Sequence, residues 1–443
     1  FRFPTIAALA RHLAGIGGAA GPVIASGRPT AGREIAVVGM AFRFPGAADR
    51  DSLWNNLLSG AVATRRFSAA ELAGSGVSAA LLRHPDFIPV AAPLDGTALF
   101  DPQPFGYGRG EAAEIDPQQR LLLETAWHAL EDAACDPRTD GPVGAFVGVG
   151  FNAYLLDNLR DRAGYAGGAD RYSVVVGADK DFAATRLAYK LGLTGPATSV
   201  GCACSTGLAA IAAAVDSLRL GRCRAALAGA ASLGMFAPVG YVHAEGGIAS
   251  RAGVCRPYDA AADGTIGGAG VCVVVLKRLE DAITDGDTIH AVIRGVGVAN
   301  DGADKAAFAA PSVDGQAVAI AAALADAGVD GTAIGYVEGH GTATALGDPI
   351  EVAALNLAFA GAAPDSIALG SIKGNFGHLD AAAGTAGFVK TVLTLAHGVV
   401  PPTAGYSAPN PRIPFAEGPF RVAAAVEPWP GAPGRPRLAG VSS

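Results

Sequence analysis

Three stretches of the chain gather residue types suited to nucleophilic and acid–base chemistry, each among the small residues of a tight turn. The first, Ser199-Val200-Gly201-Cys202-Ala203-Cys204-Ser205-Thr206-Gly207-Leu208, sets two cysteines among tiny neighbours. Apolar residues then recur at Leu208, Ile211, Val215 and Leu218, with Gly221 beyond them, which is a helical period with a stop. Cys204 is therefore predicted at or just before a helix N-terminus. There the helix dipole and unpaired N–H groups favour an anion and draw a thiol toward thiolate. A cysteine read alone is more often a packed core thiol, so the other stretches must decide.

The second stretch is Val337-Glu338-Gly339-His340-Gly341-Thr342-Ala343-Thr344-Ala345-Leu346-Gly347-Asp348-Pro349. A strand runs into a polar turn with His340 at its tip, and Pro349 is predicted to begin a helix. Strand ends of this kind are favoured positions for catalytic groups in α/β sheets. In the third stretch, Gly370-Ser371-Ile372-Lys373-Gly374-Asn375-Phe376-Gly377-His378-Leu379-Asp380, Lys373, Asn375 and His378 again crowd a turn after a strand. A nucleophile, two imidazoles and a cation, each on its own turn, form the general pattern of an activated thiol with acid–base partners. No Cys/His pair of metal-site spacing complements Cys202 and Cys204, so no metal is expected. Gly264–Gly270 is not a dinucleotide-binding sequence and reads as a tight turn.

The elements that must position these turns follow from apolar periodicity. Buried-strand runs are predicted at Ile35–Met40, Val143–Val149, Ala225–Ala231, Val271–Leu276, Ile289–Val298, Ile334–Val337 and Ile367–Ile372. Helical patterns lie at Leu53–Leu58, Pro117–Ala134, Ala203–Val215, Gln316–Ala327 and Pro349–Phe359. This alternation predicts an α/β protein with buried sheets. At 443 residues the chain is long enough for two packed halves. Only 16% of residues are charged and the net charge is -7, which points away from nucleic acid as a partner. The apolar runs are too short to span a membrane, and no signal peptide opens the sequence. Six cysteines in such a length fit a reducing, cytoplasmic setting.

Residues 34–443 resemble the ketosynthase (β-ketoacyl synthase) domain of a modular type I polyketide synthase. The resemblance is carried by Ala203-Cys204-Ser205, by His340-Gly341-Thr342-Ala343-Thr344 with Leu346-Gly347-Asp348-Pro349-Ile350-Glu351, and by Lys373-Gly374-Asn375-Phe376-Gly377-His378. Arg43-Phe44-Pro45-Gly46, Asp116-Pro117-Gln118-Gln119-Arg120 and Arg256-Pro257-Tyr258-Asp259 support it. The resemblance implies a thiolase-like fold, two similar halves in an αβαβα five-layer sandwich, normally a homodimer. Its halves would be residues 34–284 and 285–443. It also implies roles. Cys204 takes an acyl chain from a carrier-bound thioester. His340 and His378 promote decarboxylation of a malonyl-type extender on an acyl carrier and stabilise the enolate. Lys373 fixes and polarises the His378 region, while Thr342, Thr344 and Asn375 bind substrate, the threonines through the phosphopantetheine arm. No bound cofactor is implied.

Residues 1–15 resemble the last helix of a carrier domain, and Gly/Ala/Pro-rich residues 16–33 read as a flexible linker. With Gly247-Ile248 and Gly267-Gly268, that helix points to a hybrid peptide–polyketide line, as in antibiotic biosynthesis, with an aminoacyl or peptidyl chain delivered by an upstream carrier. The sequence also departs from the family pattern. Gly201 and Cys202 stand where Asp or Gln and then Thr are usual, Ala343 replaces a usual Gly, and Ala269 replaces a common Glu. The chain ends at Ser443, ahead of the family's Phe-Gly loop and Gly-Gly-Thr-Asn segment, which reads as a shortened C-terminal end. These departures keep two alternatives open: a non-elongating or gatekeeping acyl-transfer variant, and a silent docking scaffold. A thiolase or starter-type synthase fits less well, since both histidines and Lys373 follow the elongating pattern.

Overall fold

Unbroken runs of small and β-branched residues build the first sheet, because such strands can be covered on both faces. The computed structural model describes residues 32–160, 170–234, 239–303, 305, 307–431 and 434–443. The predicted helix over residues 1–15 and residues 16–31 of the predicted linker lie outside them. Strands β1 (Ile35–Arg43), β2 (Val143–Val149), β3 (Ala197–Ser199), β4 (Ala225–Ser232), β5 (Gly270–Arg278) and β6 (Ala291–Ile293) take the order β6-β1-β5-β4-β2-β3. β2 is parallel to β3 and β4; the pairings β4–β5, β5–β1 and β1–β6 are antiparallel. The second sheet is all parallel: β7 (Tyr336–Glu338), β8 (Ile367–Gly370), β9 (Phe420–Val422) and β10 (Ala439–Val441), in the order β9-β8-β7-β10.

Helices fill the three spaces around these sheets. α1 (Pro117–Asp132) and α2 (Ala183–Leu191) cover the outer face of the first sheet, where Leu122, Ala126 and Leu187 share a core with Ala145, Val147 and Val273. α3 (Thr206–Arg219) and α6 (Ala383–His397) lie between the two sheets, with Ile211, Val215, Val389 and Val392 in one shared core. α4 (Val313–Ala327) and α5 (Gly347–Ala358) cover the second sheet from outside, where Val352 and Leu355 meet Val337, Leu369 and Phe420. The layers thus run αβαβα, as the resemblance implies. Among the described residues no helix is long and apolar enough to cross a membrane.

Element boundaries shift where tertiary pairing overrides pattern. The predicted strand Ile289–Val298 reduces to β6, which adds to the edge of the first sheet although it belongs to the second half by sequence. Ile334–Val337 and Ile367–Ile372 become β7 and β8, and the helix predicted from Pro349 starts at Gly347. Close approach also shapes the region around Cys204. A side chain on Gly148 of β2 would meet Val200 O and Thr206 Cγ2, both at 2.3 Å, and one on Gly207 would meet Thr385 of α6 at 2.8 Å.

Side chains alternate along β7. Val337 faces α5, while Tyr336 and Glu338 face α6, where Lys390 Nζ lies 2.8 Å from Glu338 Oε2. Both charges are buried, and Glu338 also accepts from Tyr336 Oη and from Ile372 N, the latter at 2.6 Å. Removing one partner of such a pair strands a buried charge, at a cost of about 3–5 kcal/mol. Lys390→Met is expected to lose stability on that scale in urea unfolding. Adding Glu338→Gln, which keeps the acceptor and removes the charge, is expected to recover part of the loss; an additive double mutant would contradict the pairing.

Candidate active site

Cys204 sits in a 3₁₀ turn, Ala203–Ser205, that leads directly into α3. Ala203 holds φ 49°, and Cys202 N donates to Thr206 Oγ1 at 2.9 Å, so the turn is tied to the helix it precedes. The two cysteines part company here: Cys202 is exposed and Cys204 is half-buried. The six cysteines are all free thiols.

His340 follows β7 and is held through its backbone. Glu351 of α5 accepts from His340 N through Oε1 and from Gly341 N through Oε2, the latter at 2.8 Å. Tyr258 Oη donates to the same carboxylate at 3.0 Å. Ala343, in place of the glycine of the family pattern, is buried with φ 60°, the left-handed region that favours glycine. His378 is held from two sides: its N donates to Ile266 O at 2.7 Å, and its carbonyl accepts from Gly268 N at 3.0 Å. The glycine-rich loop before β5 therefore backs this histidine.

The three turns converge. Cys204 Sγ and one ring nitrogen from each of His340 and His378 lie within 4.8 Å of one another, with the two rings edge-on at 5.4 Å. His378 Nδ1 accepts from Asp380 N at 2.9 Å. His340 Nδ1 lies 3.4 Å from Lys373 Nζ, a group that only donates, and 3.3 Å from Ser443 Oγ. In each neutral ring the proton then belongs on Nε2, which leaves an N–H donor at both imidazoles. Burial keeps the rings neutral, aided by the nearby Lys373 charge. His378 is pushed down to about 3, and His340 well below the ordinary histidine value. A metal would need these Nε2 lone pairs, so the donor pattern suits a developing oxyanion rather than a cation.

The structure corrects one expectation and adds partners for two further residues. A helix start draws a thiol toward thiolate, but burial pushes the Cys204 thiol up, and the Lys373 charge and local backbone N–H groups offset only part of that. Lys373 donates from Nζ to His340 O at 2.5 Å and lies beside His340 Nδ1, and its charge also acts on His378. Asn375 is fully buried; its Nδ2 donates to Ala61 O at 2.8 Å, while its Oδ1 is buried without a partner. Thr342 and Thr344 stand beside the His340 turn with hydroxyls 3.1 Å apart, and Thr344 Oγ1 accepts from Gly347 N at the start of α5. Glu351, Tyr258 and Asp380 are positioning residues that sequence reasoning does not single out. All three lie inside the motifs that carry the resemblance or directly beside them, but nothing local marks what their side chains or amides reach.

Nitrogen-15 NMR of the imidazoles is expected to show both rings as neutral Nε2–H tautomers at pH 5.5; titration near 6.5 would contradict the assignment. Alkylation of Cys204 by iodoacetamide is expected to rise with pH through a midpoint above that of an ordinary cysteine. Lys373→Met is expected to move that midpoint further up, since it removes the cation that favours thiolate.

Two family profiles match the chain: "Beta-ketoacyl synthase, N-terminal domain" over residues 32–282 and "Beta-ketoacyl synthase, C-terminal domain" over residues 290–407. A component of the phenolphthiocerol/phthiocerol polyketide synthase of Mycobacterium tuberculosis is 46% identical over 405 residues, 89% of this chain and 27% of that protein. Polyketide synthase PksN of Bacillus subtilis is 39% identical over 391 residues, 88% of this chain and 7% of the relative. The chain thus spans about a quarter or less of these relatives. Among solved structures, ketosynthase twelve of the bacillaene polyketide synthase of Bacillus amyloliquefaciens is similar at TM-score 0.84 and 38% identity, covering 90% of this chain and 71% of that one. The matched profiles take in all three converging turns, and on that ground the chain belongs to the β-ketoacyl synthases, condensing acyltransferases of thiolase-like fold that serve as ketosynthase domains in modular polyketide synthases.

Proposed function

We propose that this chain extends a carrier-bound acyl chain by decarboxylative Claisen condensation. In the first half-reaction the Cys204 sulfur attacks the thioester carbonyl, a new thioester forms, and the carrier's phosphopantetheine thiol leaves. In the second, a malonyl-type extender on an acyl carrier loses carbon dioxide, and its electron pair forms an enolate. The enolate carbon attacks the Cys204 thioester, the sulfur leaves, and a β-ketoacyl chain remains on the acyl carrier. The observation that carries this reading is the pair of neutral imidazoles, each with Nδ1 occupied and Nε2–H free, beside one sulfur. Two fixed donors at an enolate oxygen stabilise charge that develops only during reaction. No metal or bound cofactor enters these steps. Thr342 and Thr344, beside the His340 turn, are the groups proposed to contact the pantetheine arm.

The donor chain we favour is aminoacyl or peptidyl, delivered by an upstream carrier, on the strength of residues 1–15, Gly247-Ile248 and Gly267-Gly268. The setting we favour is cytoplasmic, in keeping with six free thiols. A homodimer through the edge of the first sheet is supported by the unpaired side of β3 and by exposed Phe151 and Tyr189, at 70% and 81%, in segments near that edge. Light scattering is expected to give twice the chain mass.

Intact-protein mass spectrometry with an acyl thioester donor is expected to show one acyl adduct, absent in Cys204→Ala. With a malonyl carrier, condensed product is expected. His340→Ala and His378→Ala are expected to keep the adduct and lose about 10²–10³-fold in condensation, the scale of one oxyanion donor. An adduct on the unaltered protein that never yields condensed product would favour the gatekeeping reading, and no adduct at all would favour the docking scaffold. Faster acylation by peptidyl than by alkyl thioesters would support the hybrid line; the reverse order would remove it.

A further inference from the structure

Two motifs that the chemistry above does not use, Arg43-Phe44-Pro45-Gly46 and Asp116-Pro117-Gln118-Gln119-Arg120, meet at a separate cavity of about 660 Å³. Arg43, Arg109 and Arg120 line it with Glu124 and Asp101, and Leu99 and Phe100 form an apolar wall. None of Cys204, His340, His378 and Lys373 belongs to it. Its charges are unevenly paired. Arg43 is engaged: Nη2 donates to Asp95 O at 2.8 Å, and Nη1 lies 3.8 Å from Glu124 Oε2. Asp101 accepts from its own loop, from Gln103 N at 3.2 Å. Arg120, one helical turn before Glu124 on α1, lies over the Tyr154 ring at 5.6 Å. Its Nε is buried with no hydrogen-bond partner. The Tyr154 hydroxyl points away to donate to Ala113 O at 2.7 Å, and its oxygen does not accept from Arg120 Nε. Arg109 is exposed and has no ion-pair partner among the described residues.

A buried guanidinium N–H without an acceptor is costly, and buried donors in folded proteins are nearly always satisfied. Arg43 is matched by Glu124 and Arg120 is attracted by the buried Asp116 carboxyl, so the unmatched charge is that of Arg109 and the unmet hydrogen bond is that of Arg120 Nε. Two guanidinium forks facing one cavity fit a tetrahedral dianion, to which arginine bonds through parallel N–H groups. We propose that this cavity binds the phosphate of a phosphate monoester, its phosphoryl oxygens on Arg109 and Arg120 and its apolar portion against Leu99 and Phe100. The single carboxylate left facing the cavity, Asp101, limits the affinity and disfavours larger polyanions.

Isothermal titration calorimetry of the whole chain with phenyl phosphate and with inorganic phosphate, at constant ionic strength in chloride, tests this directly. Saturable binding of both is expected, tighter for phenyl phosphate, with Kd raised at least tenfold in Arg109→Gln and in Arg120→Lys. Arg109 is exposed, so its replacement is not expected to disturb folding, and circular dichroism checks both variants. Leu99→Ser is expected to erase the preference for phenyl phosphate. Condensation in the Arg109→Gln variant is expected to be unchanged when no phosphate is added. Absence of saturable binding by either probe, or equal Kd values in both arginine variants and the parent, would overturn the proposal whatever the condensation assay shows.

Discussion

The carboxylate of Glu351 is the constraint on which the site depends. It is buried, it accepts from two successive backbone amides of the His340 turn, and it takes a third hydrogen bond from Tyr258. A loop after a short strand has no ladder to fix it, so the turn takes its geometry from α5. Burial raises the Glu351 carboxyl above its ordinary value, while those amides and the Lys373 cation draw it back. Tyr258 couples the clamp to a second acid: its own N–H donates to Asp348 Oδ2 at 2.7 Å, and burial lifts Asp348 to about 7. The two carboxylates are thus engaged by the backbone amides of the His340 turn and of Tyr258 and by the Tyr258 hydroxyl, and they fix the position of His340.

The same desolvation serves the imidazoles and hinders the thiol. Excluding water makes a charged imidazole costly, which preserves Nε2–H as a neutral donor at both histidines, and it makes thiolate costly by the same physics. Lys373 mediates between these demands. Its cation disfavours protonation of both rings and favours ionisation of Cys204, yet burial lowers its own pKa. One buried amine thus biases three groups, with its Nζ tied to the His340 carbonyl. The helix N-terminus behind Cys204 acts in the same direction but does not outweigh burial.

Apolar patterning made most of the scaffold legible. The run Val143–Val149 reads as a strand and is one over the same residues, because a centre strand covered on both faces needs only β-propensity. Ile289–Val298 also reads as a buried strand yet contributes three paired residues, since an edge has a partner only where its neighbour extends. Of the site, the residue types of Cys204, His340 and His378 were legible with their turns. The partners of Lys373 and Asn375 were not. A long flexible amine, or an amide packed against Ala61 some three hundred residues away, takes its partner from the fold. The thiol's direction of shift also depends on burial, which a helix-start pattern does not report.

Backbone strain marks the site more sharply than composition does. Of the six non-glycine residues with φ between 48° and 62° among the described residues, four, Ala203, Tyr258, Ala343 and Asp380, adjoin Cys204, Glu351, His340 and His378, while Ala134 and Asp365 lie elsewhere. Each such non-glycine residue costs on the order of 1–2 kcal/mol and persists only where its surroundings fix it. At Tyr258 that fixing comes from full burial and from Asp348, and at Ala343 from full burial. Asp380, with φ 48°, also donates its backbone N–H to His378 Nδ1 at 2.9 Å. That bond sets the tautomer, and the tautomer decides whether the imidazole presents a donor or an acceptor beside Cys204.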